Sequence, residues 1–269
     1  MMSAGKYAQE ETYRLAALDP DFILGDSMRG ARFMMEYAKA EEHLRAKNIV
    51  STIVVFGSAR VREDGEERQA RVYESAREFG RIASERGGAL NHNGGKRENV
   101  IATGGGPGVM EAANRGAMDA GAVTIGFNIV LPHEQEPNPY ITPELCFQFH
   151  YFAMRKMHLA MRARALVVFP GGFGTLDELF ELLTLNQTGK APKLPVVLYD
   201  RAFWDKIVNF EALVDAGVIA ETDLERFDFA DDAEEAWESL LSQGLSTDEE
   251  TESGAAIAVM SGWEPSGLM

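Results

Sequence analysis

The sequence predicts an α/β fold, a parallel sheet covered by helices on both faces. Two observations carry this expectation. From Ser51 onward, short β-rich runs alternate with amphipathic segments, the rhythm of βαβ units. Two of those runs also end in glycine-rich turns that open directly into helices, Gly104-Gly105-Gly106-Pro107-Gly108 and Gly171-Gly172-Phe173-Gly174-Thr175.

In chain order, residues 1–50 read as a helical extension. Met28 to Lys47 has no Gly after Gly30 and no Pro, with apolar or aromatic residues at 33, 34, 37, 38 and 44, the spacing of a helix face packed on a core. STIVVFGSAR is the first strand and turn, and Val72, Ala76, Phe79 and Ala83 mark the next helix face. Arg86 to Glu98 is a polar loop or hairpin. It contains Gly-Gly-Lys, but Arg97 stands where a phosphate loop requires Ser or Thr. NVIATGGGPG is a second strand and turn, followed by the helix VMEAANRGAMDAG, which closes at Gly121. AVTIGFNIVLP and LCFQFH are further strands, and HYFAMRKMHLAMRARA is a helix. ALVVFPGGFGT is a strand and turn, with a helix from Leu176 to about Gln187, and LPVVLYD is the last strong strand. Residues 51–245 are thus expected to form one α/β domain, and the acidic, glycine-containing residues 246–269 a flexible tail.

Composition narrows the function classes. The chain has 269 residues and a formal charge of −16. Glu221 to Glu252 alone holds thirteen acids and one Arg, so the remainder carries only −4. That excludes a broad basic face for nucleic acid. No apolar run is long enough to cross a membrane, and the polar N-terminus lacks a signal-peptide core. With a single cysteine, Cys146, in an apolar strand, the chain is expected in the cytoplasm.

Four loops follow strands and share the carboxyl edge of the sheet, where ligands bind: 57–60, 103–108, 128–134 and 170–175. Glycine allows positive φ and close backbone approach. The first N–H groups of a helix lack internal partners and face an anion with a favourable dipole. Gly57, Ser58, Gly104, Gly105, Gly106 and Gly108, with Gly171 to Thr175, are therefore candidates to hold a phosphate-bearing ligand. A dinucleotide fingerprint is absent, because GxGxxG from Gly104 would need glycine at Val109. Arg155-Lys156 offers a cation pair to an anion or to solvent. Glu178 lies in a helix first turn, where Asp177 and Glu181 answer the dipole equally well. His150 and His158 lack partners at metal-ligand spacing and read as structural or surface residues. Neither a metal nor a cofactor is expected.

Gly104-Gly105-Gly106-Pro107-Gly108-Val109-Met110-Glu111, then Arg155-Lys156, then Pro170-Gly171-Gly172-Phe173-Gly174-Thr175-Leu176-Asp177-Glu178, resembles the LOG family. Its members are the cytokinin riboside 5′-monophosphate phosphoribohydrolases, long labelled lysine decarboxylases. The PGGxGTxxE motif is matched in full, and GGGPGVMEAANRGA with the EQ after LP is similar to the longer bacterial members. The resemblance covers roughly Ile53 to Asp200. It implies a Rossmann-like fold and a homodimer or higher homo-oligomer with sites near the subunit boundary. It also implies Arg155 and Glu178 as the catalytic pair. Lys156, Gly172 to Thr175, Glu134 and Thr184 become substrate contacts. The activity implied is hydrolysis of a nucleoside 5′-monophosphate, AMP-like or a cytokinin riboside monophosphate, to free base and ribose 5-phosphate. The alternative is a carrier that binds a nucleotide or molybdenum cofactor without hydrolysing it.

Overall fold

The computed structural model describes residue 7 and residues 10–90, 95–131, 136–191 and 193–247. Among these, one sheet holds seven parallel strands: β1 (Thr52–Phe56), β2 (Val100–Thr103), β3 (Ile125–Ile129), β4 (Cys146–Phe149), β5 (Ala163–Val168), β6 (Val196–Tyr199) and β7 (Asp228–Ala230). Their order is β4-β3-β2-β1-β5-β6-β7. The chain winds outward from β1 to β4, then crosses back to place β5 on the other side of β1. That reversal is the topological switch point of a Rossmann-like sheet, and it opens a crevice at the carboxyl ends of β1 and β5.

The helices are α1 (Pro20–Leu24), α2 (Arg29–Ala46), α3 (Glu67–Arg86), α4 (Val109–Asp119), α5 (Phe152–Met161), α6 (Phe173–Gln187), α7 (Arg201–Ile207), α8 (Phe210–Asp215) and α9 (Ala233–Ser242). Strand side chains alternate between two cores. Ile53 and Val55 pack with Phe79, Ala113 and Trp237 from α3, α4 and α9. Val54 and Phe56 share the opposite core with Leu44, Leu159 and Leu179 from α2, α5 and α6. Both sheet faces are thus buried, which is why β1 is apolar from Ile53 to Phe56. Helices α3 and α4 cross closely at Gly80 and Gly116, where a Cβ would run into the backbone carbonyls of Ala113 and Arg77.

The N-terminal extension is built into this core. Ala40 and Leu44 of α2 are fully buried, and Glu41 receives both Arg162 Nη1 (2.8 Å) and Nη2 (2.9 Å) just before β5. Burial pushes the Glu41 carboxyl up, but Arg162 and Arg45 more than reverse this and hold it below its ordinary value. His158 is buried among the rings of Tyr37, Phe127 and Phe149, a structural placement. Cys146 is half-buried in β4, and burial raises its thiol pKa.

Several boundaries differ from the sequence expectation. Helix α6 begins at Phe173 rather than Leu176, so the second glycine-rich turn is the helix's own first turn. Strand β5 begins at Ala163, two residues early, and β3 spans only Ile125–Ile129. The sheet does not end at β6. Strand β7 is a three-residue edge element running from exposed to buried, too short to show a period of two. Of the predicted tail, residues 248–269 lie outside the described residues. Among the described residues no helix is long and apolar enough to cross a membrane.

Candidate active site

The crevice at the switch point is a cleft of about 630 Å³. It draws on all four strand-following loops: Gly57 to Arg60, Gly104 and Gly106, Asn128 to Ile129 with Leu131, and Gly172 to Leu176, with Arg155 and Met110 completing the wall. Two backbone hydrogen bonds lock the loops together. Ser58 N–H donates to the Pro170 carbonyl (2.9 Å), and Val109 N–H donates to the Ser58 carbonyl (3.2 Å).

The two glycine-rich turns differ in kind. In the first, Gly105 (φ +74°) and Gly108 (φ +72°) are buried in left-handed backbone. A Cβ at Gly105 would enter the Asn128 amide, and one at Gly108 would strike the Ser58 carbonyl. Gly57 would press a Cβ into Val109. The turn is also braced internally. Gly105 N–H donates to Thr103 Oγ1 (3.0 Å), and Asn138 Nδ2 donates to the Gly106 carbonyl (3.1 Å) and Asn114 Oδ1 (2.9 Å). These three glycines serve the fold, and only Gly104 and Gly106 of the turn face the cleft. With Val109 N–H already bonded, the start of α4 has less to offer an anion than its sequence suggests.

The second turn is open. Gly171 is again steric, since a Cβ there would collide with the Thr175 side chain. At Gly172 and Gly174, however, an added Cβ would meet nothing, and neither has a positive φ. The fold therefore gives no reason for glycine at either position, whereas close approach of a ligand to the backbone does. Thr175 and Leu176 N–H both donate to the Gly172 carbonyl (3.0 Å each), which leaves the Phe173 and Gly174 N–H groups at the start of α6 without a backbone acceptor among the described residues. Phe173 stands 93% exposed at the mouth, and Thr175 is buried in the cleft wall. Arg60 is exposed on the opposite rim and makes no ion pair among the described residues. It lay within a loop flagged by the sequence, but nothing in the sequence marked it off from Ser58 beside it. Asn138 gave no sequence signal at all.

Arg155 and Glu178 meet at the side of the cleft. Arg155 Nη2 donates to Glu178 Oε1 at 3.4 Å, with the side chains 11% and 2% exposed. The Arg155 guanidinium lies 5.0 Å from the centroid of the Phe152 ring. Its buried Nε–H has no hydrogen-bond partner among the described residues. Burial raises the Glu178 pKa to about 7, against the opposing pull of Arg155 and Lys156. Burial also lowers the Arg155 pKa, partly offset by Glu178.

The other anticipated contacts lie elsewhere. Lys156 Nζ pairs with Asp177 (2.7 Å) and Glu181 (2.8 Å). Burial lowers its pKa, but those two hydrogen bonds prevail and the net shift is upward. With Thr184, whose hydroxyl donates to the Phe180 carbonyl (2.6 Å), it lines a shallow groove along α6 instead of the cleft. Glu134 lies outside the described residues.

The buried carboxyl has a pH signature. Glu178 ionises at about 7 in the folded chain and at about 4.3 when unfolded, so its ionisation opposes folding. Its stabilising contribution is complete below the unfolded value and is lost as pH rises through 7. The melting temperature of Glu178→Gln, relative to the parent, is expected to climb between pH 4.5 and 8. The change corresponds to roughly 3 kcal/mol. A difference that stays flat in calorimetry would mean a solvated carboxyl.

A family profile described as "Possible lysine decarboxylase" matches residues 110–240, which include Arg155 and Glu178. A curated relative from Oryza sativa subsp. japonica, cytokinin riboside 5'-monophosphate phosphoribohydrolase LOG, is 31% identical over 157 residues. The match covers 57% of this chain and 60% of the relative. A cytokinin riboside 5'-monophosphate phosphoribohydrolase from Mycobacterium tuberculosis is 36% identical over 86 residues, 30% of this chain and 44% of the relative. The chain thus spans less than two thirds of the length of these relatives. The X-ray structure of TM1055, a structural genomics target, superposes with a TM-score of 0.51 at 24% identity. It covers 71% of this chain and 99% of its own, which shows a shared fold.

Proposed function

Because the chain belongs to the LOG family, we propose that it hydrolyses the N-glycosidic bond of a nucleoside 5′-monophosphate, either AMP-like or a cytokinin riboside monophosphate. The products are free base and ribose 5-phosphate. The observation that carries this reading is the buried Arg155–Glu178 pair beside the open N-terminus of α6. A ligand that needs both an anion site and a carboxylate has its charge at one end and its reacting bond at the other.

In this scheme the 5′-phosphate rests on the N–H groups of Phe173 and Gly174, with Arg60 and the Arg155 guanidinium as cationic donors. The ribose then lies against Glu178. As the C1′–N bond breaks, positive charge builds on the sugar ring, and the carboxylate stabilises it in a site where water screens little. Water attacks C1′ and gives its proton to Glu178, while the base leaves with the bonding electrons and takes up a proton from solvent; Glu178 then releases its proton to solvent. Binding energy from the remote phosphate positions the reacting bond. Glu134, which belongs to the same family pattern, is assigned a substrate contact.

Two other readings fit less well. A Schiff-base decarboxylase would need a neutral lysine, whereas Lys156 is held protonated between two carboxylates. A nucleotide or molybdenum-cofactor carrier would have no use for a carboxyl near phosphate whose ionisation destabilises the protein. The relatives' family pattern also leads us to read the enzyme as a homo-oligomer, with Phe173 at the cleft mouth covered by a second copy; light scattering measures the mass.

A panel of nucleoside monophosphates and nucleosides, assayed for base release, tests the reaction. AMP or a related monophosphate is expected to be cleaved far faster than its nucleoside, by on the order of a hundredfold in kcat/KM. Equal rates on AMP and adenosine would remove the phosphate site, and base release from neither would remove the hydrolase.

A further inference from the structure

Helix α5 carries Arg155, and its own N-cap residue, Tyr151, supplies no side-chain cap. The N–H groups at this end are instead met from α2, over a hundred residues earlier. Glu36 Oε1 accepts from His150 N–H (2.8 Å) and Glu36 Oε2 from Tyr151 N–H (3.3 Å). Four residues back on α2, Arg32 Nε donates to the Tyr151 hydroxyl (3.0 Å). The same guanidinium is held by the carbonyls of Ile23 (2.8 Å) and Gly25 (2.6 Å). The Phe33 and Tyr151 rings meet at right angles with their centroids 4.3 Å apart. The next residue along, Phe152, is the ring beneath the Arg155 guanidinium. A continuous chain of contacts therefore runs from the N-terminal extension to the site.

We propose that Glu36 is a positioning residue for Arg155, acting from the N-terminal extension to fix the first turn of α5 so that the guanidinium stays on Glu178. This rests on reading Arg155 and Glu178 as the working pair. The second observation is that residues 29–46 lie outside the stretch matched by the family profile, yet α2 is docked to the core by Ala40, Glu41 and Leu44. The charged groups facing Glu178 are Arg155 and Lys156 from α5, with Asp177 and Glu181 from α6. Of these, only the two cations move with α5. Loosening its first turn weakens the attraction that favours ionised Glu178.

The test uses the full chain with 13C-labelled glutamate, the Glu178 carboxyl signal being assigned by its loss in Glu178→Gln. In Glu36→Ala the titration midpoint is expected to rise above its wild-type position. The ascending limb of the pH profile for AMP cleavage should move with it, and kcat/KM should fall by on the order of tenfold. Removing a nearby negative charge would by itself lower the midpoint, so an upward shift isolates positioning. Glu36→Gln, which keeps one acceptor and preserves the fold more gently, is expected to fall between. Leu44→Val, at the far end of α2, should lower the melting temperature and leave the midpoint in place. An unmoved or lowered midpoint in both Glu36 variants overturns the proposal, whatever their stability. A raised midpoint in a chain whose Glu178→Gln variant still hydrolyses AMP would keep Glu36 as the brace and sink Glu178 as the catalytic carboxylate instead.

Discussion

Glu178→Gln is expected to lower turnover on AMP by roughly a hundredfold or more, the scale of a lost acid–base group, with little change in AMP affinity. The substitution keeps the shape of the side chain and its capacity to accept from Arg155, while removing the charge that meets the developing sugar cation. The proposed phosphate contacts at Phe173 and Gly174 are untouched, so ground-state binding should survive. Asp177→Asn is the control. Asp177 is also an acid at the start of α6, but it is largely exposed and pairs with Lys156 at 2.7 Å on the outer groove. If acids here act only on the helix dipole, both variants lose a little stability and neither loses turnover. If both lose activity in proportion to thermal stability, Glu178 is structural. Wild-type hydrolysis by Glu178→Gln would falsify the mechanism.

The second large effect is expected at Gly174. Alanine there meets no atom of the protein and lies in the first turn of α6, where it is the better helix former. Gly174→Ala should melt no lower than the parent. Its added methyl nonetheless stands where the proposed phosphate would approach the backbone, and a displacement of about 1 Å is enough to cost about a hundredfold. The loss should appear mainly in KM and in AMP affinity, the opposite of Glu178→Gln. Gly171→Ala provides the contrast, because its Cβ collides with Thr175 and must lower stability. If Gly174→Ala binds and cleaves AMP as the parent does, no anion sits on the α6 N-terminus.

Much of this protein was legible in one dimension because the relevant signals are local. The strand–helix rhythm gave the parallel α/β sheet, since burying both faces of β1, β2 and β6 demands apolar runs and each crossover helix shows its own face. The strand-following loops could be placed at one sheet edge because parallel strands all end there. The motifs around Arg155 and Glu178 singled out two residues that the fold then brings to 3.4 Å of each other.

What only the tertiary structure decided depends on what comes to stand next to a residue from far away in the chain. Glycines 105, 108, 171, 172 and 174 look alike in sequence. Three are dictated by Asn128, Ser58 or Thr175, and two face open space. Lys156 reads as a partner for phosphate until α6 places Asp177 and Glu181 on either side of it. Asn138 and Glu36 carry no motif, and each acquires its role from a backbone group distant in sequence, the Gly106 carbonyl for one and the Tyr151 N–H for the other. Periodicity reports which face of an element is buried, because that follows from the geometry of a few successive residues. Which polar group is met on that face is settled by contacts between segments 32 residues apart for Asn138 and 115 for Glu36, and those exist only once the sheet has formed around β1 and β5.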